Sequence, residues 1–138
     1  MKGTSLLTRS QRFATSLGTF EWRYGCSKER KAVNASKLLI LDKISLVALA
    51  GGKQEERRQL VAQLMRNDEF RTEGTRGSTA GNGGRLQLDT RAFTTEKGGS
   101  SEFEALVITT CILMLKKEVD RMRMIQISAM AGAGSGGT

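Results

Sequence analysis

The stretch Ala105–Leu115, ALVITTCILML, decides the fold. Ser101, followed three residues later by Glu104, has the spacing of a capping box and predicts that a helix begins directly before this run. As a helix, the run is apolar around its whole circumference apart from two threonines, so it must be covered on every side. It reaches only about 16 Å, roughly half of a bilayer, so we expect protein rather than lipid to cover it.

The helix is expected to emerge into water over Lys116–Arg123, where Val119 and Met122 keep an apolar stripe among charged residues. Residues 131–138 are rich in Gly, Ala and Ser and are predicted to be a flexible tail.

The chain before this helix consists mainly of short predicted strands separated by polar turns. Large aromatics alternate with charges over Phe20–Tyr24, which indicates a half-buried strand. The apolar run over residues 37–44 indicates a buried strand that residues 45–50 could extend, followed by a turn at Gly51-Gly52. Residues 27–32, SKERKA, are highly charged and are interpreted as a turn or a short exposed ladder. A further short strand is expected at 86–88, after the turn dipeptide Asn82-Gly83.

Residues 53–70 are ambiguous between helix and strand. Helix propensity and the stripe that Leu60 and Leu64 form at i, i+4 favour a helix. The alternative is a strand over residues 59–66 with Leu60, Ala62 and Leu64 on one face. From the residues alone, the helix is favoured.

Together these elements predict an α+β fold, a curved antiparallel β-sheet or partial barrel packed around the hydrophobic C-terminal helix. The expected organisation is a disordered segment at 1–18, a single domain at 19–130 and the tail at 131–138. The first twenty residues contain Lys2, Arg9 and Arg12 but no acid, which is typical of mitochondrial transit segments. The leading expectation is an intracellular, cytoplasmic protein, with mitochondrial targeting as the alternative.

Composition excludes several classes of function. The 138 residues correspond to one domain, and the chain has no histidine, which excludes imidazole bases and imidazole metal ligands. Cys26 and Cys111 are too few for a zinc site or a disulfide scaffold. The chain contains no run of about 20 apolar residues, so no transmembrane segment is predicted. We therefore expect neither an enzyme nor a cofactor or metal site.

Six stretches carry a family resemblance: FEWRYG (20–25), KER (28–30), LLILDKI (38–44), LVAQLMRNDEFRT (60–72), AGNGGRL (80–86) and MLKKEVDR (114–121). They resemble a group of uncharacterised fungal proteins, which is similar to the tubby C-terminal-like fold of LURP-one-related proteins and phospholipid scramblases. The resemblance covers roughly residues 19–131 and implies a closed β-barrel around a hydrophobic C-terminal helix. It also changes the interpretation of residues 60–66 to a strand. These motifs are not catalytic signatures, and no functional residue carries over from them.

A closed barrel of this kind needs about a dozen strands, which is more chain than stands before Ser101. The resemblance therefore implies that the first half of the barrel is missing, as it would be in a shortened gene model.

The net charge of +8 favours anionic partners, such as an anionic lipid surface, an acidic protein or nucleic acid. Five basic residues near Trp22 and Tyr24 are the candidate anion-binding set, because cations interleaved with aromatics suit a head group or a base. The alternative is a solvated strand face over core aromatics. The leading hypothesis is a non-enzymatic binding or scaffold domain; the alternatives are binding of anionic phospholipid or of nucleic acid. The five residues are Lys28, Arg30, Lys31, Lys37 and Lys43.

Overall fold

The computed structural model describes residues 9–74, 83–93 and 98–135. They form one antiparallel sheet whose five strands are neighbours in chain order, and this sheet curls into a half-barrel. The long C-terminal helix packs against its inner face, so the α+β fold expected from the sequence is confirmed. The elements are β1 (Gln11–Thr15), β2 (Gly18–Tyr24), α1 (Ser27–Ala32), β3 (Lys37–Ala48), β4 (Gln54–Arg66), β5 (Arg85–Leu88) and α2 (Gly99–Ser135), with 3₁₀ turns at Asp68–Phe70 and Arg91–Phe93.

The core lies between the inner face of the sheet and one face of α2. Side chains alternate along β2, so Phe20 and Trp22 point inward and are almost fully buried. From α2, four residues at helical spacing complete this layer, and the rings of Phe93 and Phe103 stack at 4.0 Å between centroids. The four α2 residues are Phe103, Val107, Cys111 and Met114.

The sheet begins earlier than expected. Residues 1–18 were predicted to be disordered, but Gln11–Thr15 forms β1 and pairs along its whole length with β2. Phe13 lies opposite Phe20 with the rings stacked at 5.8 Å, and Gly18 closes the hairpin at φ 130°, a conformation that favours glycine. One apolar residue and one turn glycine are a weak sequence signal, and the hairpin partner supplies the rest.

Residues 54–66 form the strand β4, so the helix favoured by their propensity is wrong and the strand implied by the resemblance is confirmed. β4 pairs with β3 over its length, with an irregularity in register between Leu41 and Asp42. It also pairs with β5 over Ala62–Met65. Tertiary pairing on both edges outweighs a helix propensity of a few tenths of a kcal/mol per residue.

Residues 27–32, expected as a turn or exposed ladder, form the short helix α1 instead. The carboxylate of Glu29 accepts a hydrogen bond from the backbone N–H of Cys26 at 2.8 Å, which caps the helix start. The turn expected at Gly51-Gly52 is confirmed, since both glycines have positive φ at the tip of the β3–β4 hairpin. The strand expected at 86–88 is confirmed as β5. Its turn dipeptide includes Asn82, which lies outside the described residues.

The expectation that α2 is covered on every side is wrong. The half-barrel covers one face, and Ile108, Ile112 and Leu113 are 42%, 60% and 54% exposed. The helix also begins at Gly99, two residues before the predicted cap, with the N–H of Glu102 bonded to the carbonyl of Gly98. It continues through Ser135, so the predicted flexible tail is helical as far as it is described.

Candidate functional site

The five predicted anion-binding residues do not form one surface. Lys28, Arg30 and Lys31 lie together on α1, on the outer side of the sheet. Arg30 donates to the carbonyl of Ser36 and to the hydroxyl of Ser27, so its guanidinium is engaged in closing the α1–β3 connection.

The other two candidates lie on β3 and share its inner-facing register. Lys37 stands at the start of the strand, and Lys43 lies six residues further along, about 20 Å away. Lys43 pairs across the strands with Phe20, and its ammonium lies 4.9 Å from the ring centroid of Phe93. Trp22 and Tyr24 belong to the inner core cluster, on the opposite face from α1, so the three cations of α1 are not interleaved with these aromatics.

The outer face of the sheet is crossed by a network of ion pairs. Arg23 bridges the buried Asp42 and Glu29 at 2.7 and 2.9 Å. Arg12 and Arg58 both contact Glu21, at 2.8 and 3.1 Å. Hydrogen bonding to Arg23 lowers the pKa of Glu29 to about 2, so this carboxylate stays ionised at neutral pH. It is therefore suited to linking α1 to β2 through Arg23 rather than to proton transfer.

A groove between β1 and α2 is the candidate functional site. It encloses about 360 Å³, within the range of about 300–1,000 Å³ typical of small-molecule sites. β1 is the edge strand on this side of the half-barrel, and the half-exposed flank of α2 forms the opposite wall. The lining residues are Gln11, Arg12, Phe13, Thr15, Trp22, Leu106, Thr110, Leu113, Met114 and Lys117.

The wall of the groove exposes mainly apolar atoms. The buried polar atoms behind it form their hydrogen bonds within the protein. The indole N–H of Trp22 donates to the hydroxyl of Thr110 at 2.9 Å. The same hydroxyl donates to the carbonyl of Leu106 at 2.8 Å, one turn earlier in α2. A ligand is therefore offered ring faces, methyl groups and a thioether along most of the groove, and it would displace no hydrogen bond there.

One end of the groove is charged. Lys117 donates to the side-chain oxygen of Gln11 at 2.6 Å across the opening. A smaller adjoining pocket of about 110 Å³ shares these two residues and adds Arg9, Arg121 and Glu118. Three cations and one carboxylate therefore meet at this end, which carries a net positive charge.

Glu118 organises the charged end. It accepts hydrogen bonds from Arg9 and from the Tyr24 hydroxyl, both at 2.7 Å, and it contacts Arg121 at 3.1 Å. Burial alone would raise the pKa of Glu118, but the bonds from Arg121, Tyr24 and Arg9 outweigh it and lower the pKa to about 2. Burial and the bond to Glu118 raise the pKa of Tyr24 to about 12. At neutral pH Glu118 therefore stays ionised and Tyr24 stays protonated, so the charge at this end of the groove does not change.

Among the residues that the structure describes, the two cysteines and the remaining carboxylates form no second site. Cys26 is exposed and Cys111 is buried, both as free thiols, and burial raises the pKa of the Cys111 thiol. Within the described ranges, no group of three Cys, Asp or Glu side chains comes together to hold a metal ion. The helices found in those ranges are all too short or too polar to cross a membrane.

Nothing among protein-family models, curated proteins or solved structures matches this chain. The candidate site therefore rests on geometry. Sequence reasoning missed it because its β1 wall lies in a segment predicted to be disordered. The signal present in Gln11–Thr15 is weak, a single large apolar residue, Phe13, ahead of the turn glycine Gly18.

Proposed function

We propose that this chain is a non-enzymatic binding module whose groove takes an amphipathic anion, an apolar chain that ends in a carboxylate or a phosphate. The observation that carries the proposal is the combination of an apolar groove with a cationic end at Lys117. Anionic phospholipid, one of the partners expected from the net charge, belongs to this chemical class.

The dimensions suit a single medium-length chain. The lining residues on α2 run from Leu106 to Lys117, which spans about 16 Å along a helix. An apolar chain lying along this length would place its anionic head against Lys117, with Arg9 and Arg121 beyond. Since the wall exposes mainly apolar atoms, affinity should grow by about 0.8 kcal/mol, or about fourfold, for each methylene buried.

The absence of histidine and the ion-paired carboxylates of the outer face support a role without catalysis. Kinship with the tubby C-terminal-like fold belongs to the same proposal, supported by a curled sheet with a C-terminal helix. The same proposal includes partnership with anionic lipid surfaces or acidic proteins, which the net charge of +8 supports, and an intracellular, cytoplasmic location.

Fluorescence of the one tryptophan in the chain tests the proposal, because Trp22 lines the groove. Titration with octanoate, decanoate and dodecanoate should change its emission saturably, with affinity rising about fourfold per methylene. Dodecyl maltoside, which is neutral, should bind more weakly than dodecanoate. Binding that does not depend on chain length would overturn the groove proposal.

Two matched substitutions localise the head group. Lys117→Gln should weaken dodecanoate binding by about tenfold, the loss of one charge-assisted hydrogen bond of about 1.5 kcal/mol. Lys116→Gln removes the same charge from the neighbouring position, whose ammonium pairs with Asp120 outside the groove, and should leave the affinity unchanged. Equal losses in both variants would indicate only a general attraction to the basic surface.

A further inference from the structure

We propose that α2 pairs in antiparallel orientation with the α2 of a second copy of this chain. The pairing surface is a seam of six residues on the flank of α2 away from the groove. It is independent of the proposed ligand and needs no residue of the groove. The seam consists of Ala105, Ile108, Ile112, Leu115, Val119 and Met122.

The seam has the spacing of a coiled coil. Its members follow one another at intervals of three and four residues without interruption, so they line one side of the helix. Ile108 and Ile112 are 42% and 60% exposed, whereas the second half of the seam is half-buried, with Leu115 packed partly against the chain's own core. Single exposed apolar residues need no explanation, but an apolar heptad stripe is the surface that knobs-into-holes packing with another helix covers.

A second copy fits the seam by size. In an antiparallel pair, a residue in one half of the seam packs beside a residue in the other half of the partner helix. Aligning Ile112 with Leu115 of the second copy places Ile108 beside Val119, and Ala105 beside Met122. The small Ala105 thus lies beside the long Met122 at both ends of the seam. Because the pair is twofold-symmetric, each of these contacts occurs twice.

Charges beside the seam favour this register. It brings Glu102 beside Arg123 of the second copy at both ends, and it places Lys116 beside the uncharged Thr109. Glu102 also accepts a hydrogen bond from the Ser16 hydroxyl, but this contact is exposed and leaves the second carboxylate oxygen for Arg123. A parallel pair would instead rely on Cys111 and Glu118 as the flanking partners of Lys116 and Arg123. Both are buried against their own sheet, and Glu118 is already bonded to Arg9 and Tyr24, so the antiparallel arrangement is favoured.

Sedimentation velocity on the full chain tests the pairing, at 0.15 M salt, where charges more than about 8 Å apart are largely screened. We expect a dimer that dissociates on dilution. Ile112→Glu should give a monomer, whereas Ile127→Glu, at a position of α2 that is also 60% exposed but lies outside the seam and the groove, should sediment like the wild type. Circular dichroism checks that both variants are folded. A wild-type chain that stays monomeric at all concentrations, or equal effects of the two variants, would overturn the proposal.

A charge swap tests the orientation. Glu102→Arg or Arg123→Glu alone should weaken the dimer about tenfold, because two exposed ion pairs become repulsive, each worth up to about 1 kcal/mol. The two single variants change the net charge in opposite directions, so a general charge effect would separate them. Combining both substitutions should restore the affinity. Failure of the double variant to regain affinity would refute the antiparallel register.

Discussion

Replacement of Glu118 by glutamine is expected to destabilise the protein by about 2 kcal/mol at pH 7, and by much less in acid. The pKa of this carboxyl is lowered from 4.5 to about 2 in the folded protein. At about 1.4 kcal/mol per pKa unit, this shift corresponds to at most about 3 kcal/mol. The side chains of Arg9 and Arg121 are each 43% exposed, so water screens their attraction and reduces the expected value to about 2 kcal/mol.

The direction of the pKa shift determines how the stabilisation by Glu118 depends on pH. Because the folded pKa of Glu118 is depressed, its contribution is fully present above pH 4.5 and is lost as the pH falls towards 2. The difference in unfolding free energy between wild type and Glu118→Gln should be constant from pH 7 to pH 5, and should fall to less than half near pH 3.

Urea denaturation followed by Trp22 emission at pH 7, 5 and 3 measures this difference. Glu104→Gln is the matched control, since Glu104 is an exposed glutamate on the same helix and its loss should cost less than about 0.5 kcal/mol. A Glu118→Gln effect that equals the control, or that does not shrink in acid, would refute the role assigned to Glu118.

Two further substitutions test the core and the outer face by the same urea denaturation. Phe103→Ala should cost about 3–5 kcal/mol, because Phe103 is fully buried and stacks on Phe93, whereas Met130→Ala on the exposed part of α2 should cost less than about 0.5 kcal/mol. Asp42→Asn should cost about 2 kcal/mol, since it removes a buried carboxylate from Arg23 while Glu29 still pairs with that guanidinium; a neutral result would show that the outer network is dispensable.

The sequence allowed the inner layer of the fold to be predicted because its pattern is local. The alternation of Phe20 and Trp22 with charged residues, and the apolar run that begins at Leu38, each indicated a strand that the structure contains. α2 was evident from its own apolar run, although its start was placed three residues late.

What could not be predicted depends on contacts between distant residues. β4 has the composition of a helix and becomes a strand through pairing with β3 and β5. The coverage of α2 depends on how far the half-barrel extends around it, so the exposure of Ile112 is not encoded in the apolar run itself. The charged end of the groove joins Arg9 to Glu118, more than a hundred residues apart, which no local pattern reveals.

The most direct test of the groove is paramagnetic broadening of backbone amide signals by a spin-labelled fatty acid. With the label on the apolar chain, signals of Phe13, Thr110 and Leu113 should broaden. Those of Met130, about 25 Å further along α2, and of Lys28 on α1 should stay sharp. Broadening centred on α1, or spread evenly over the basic surface, would contradict the proposal that the space between β1 and α2 holds the ligand.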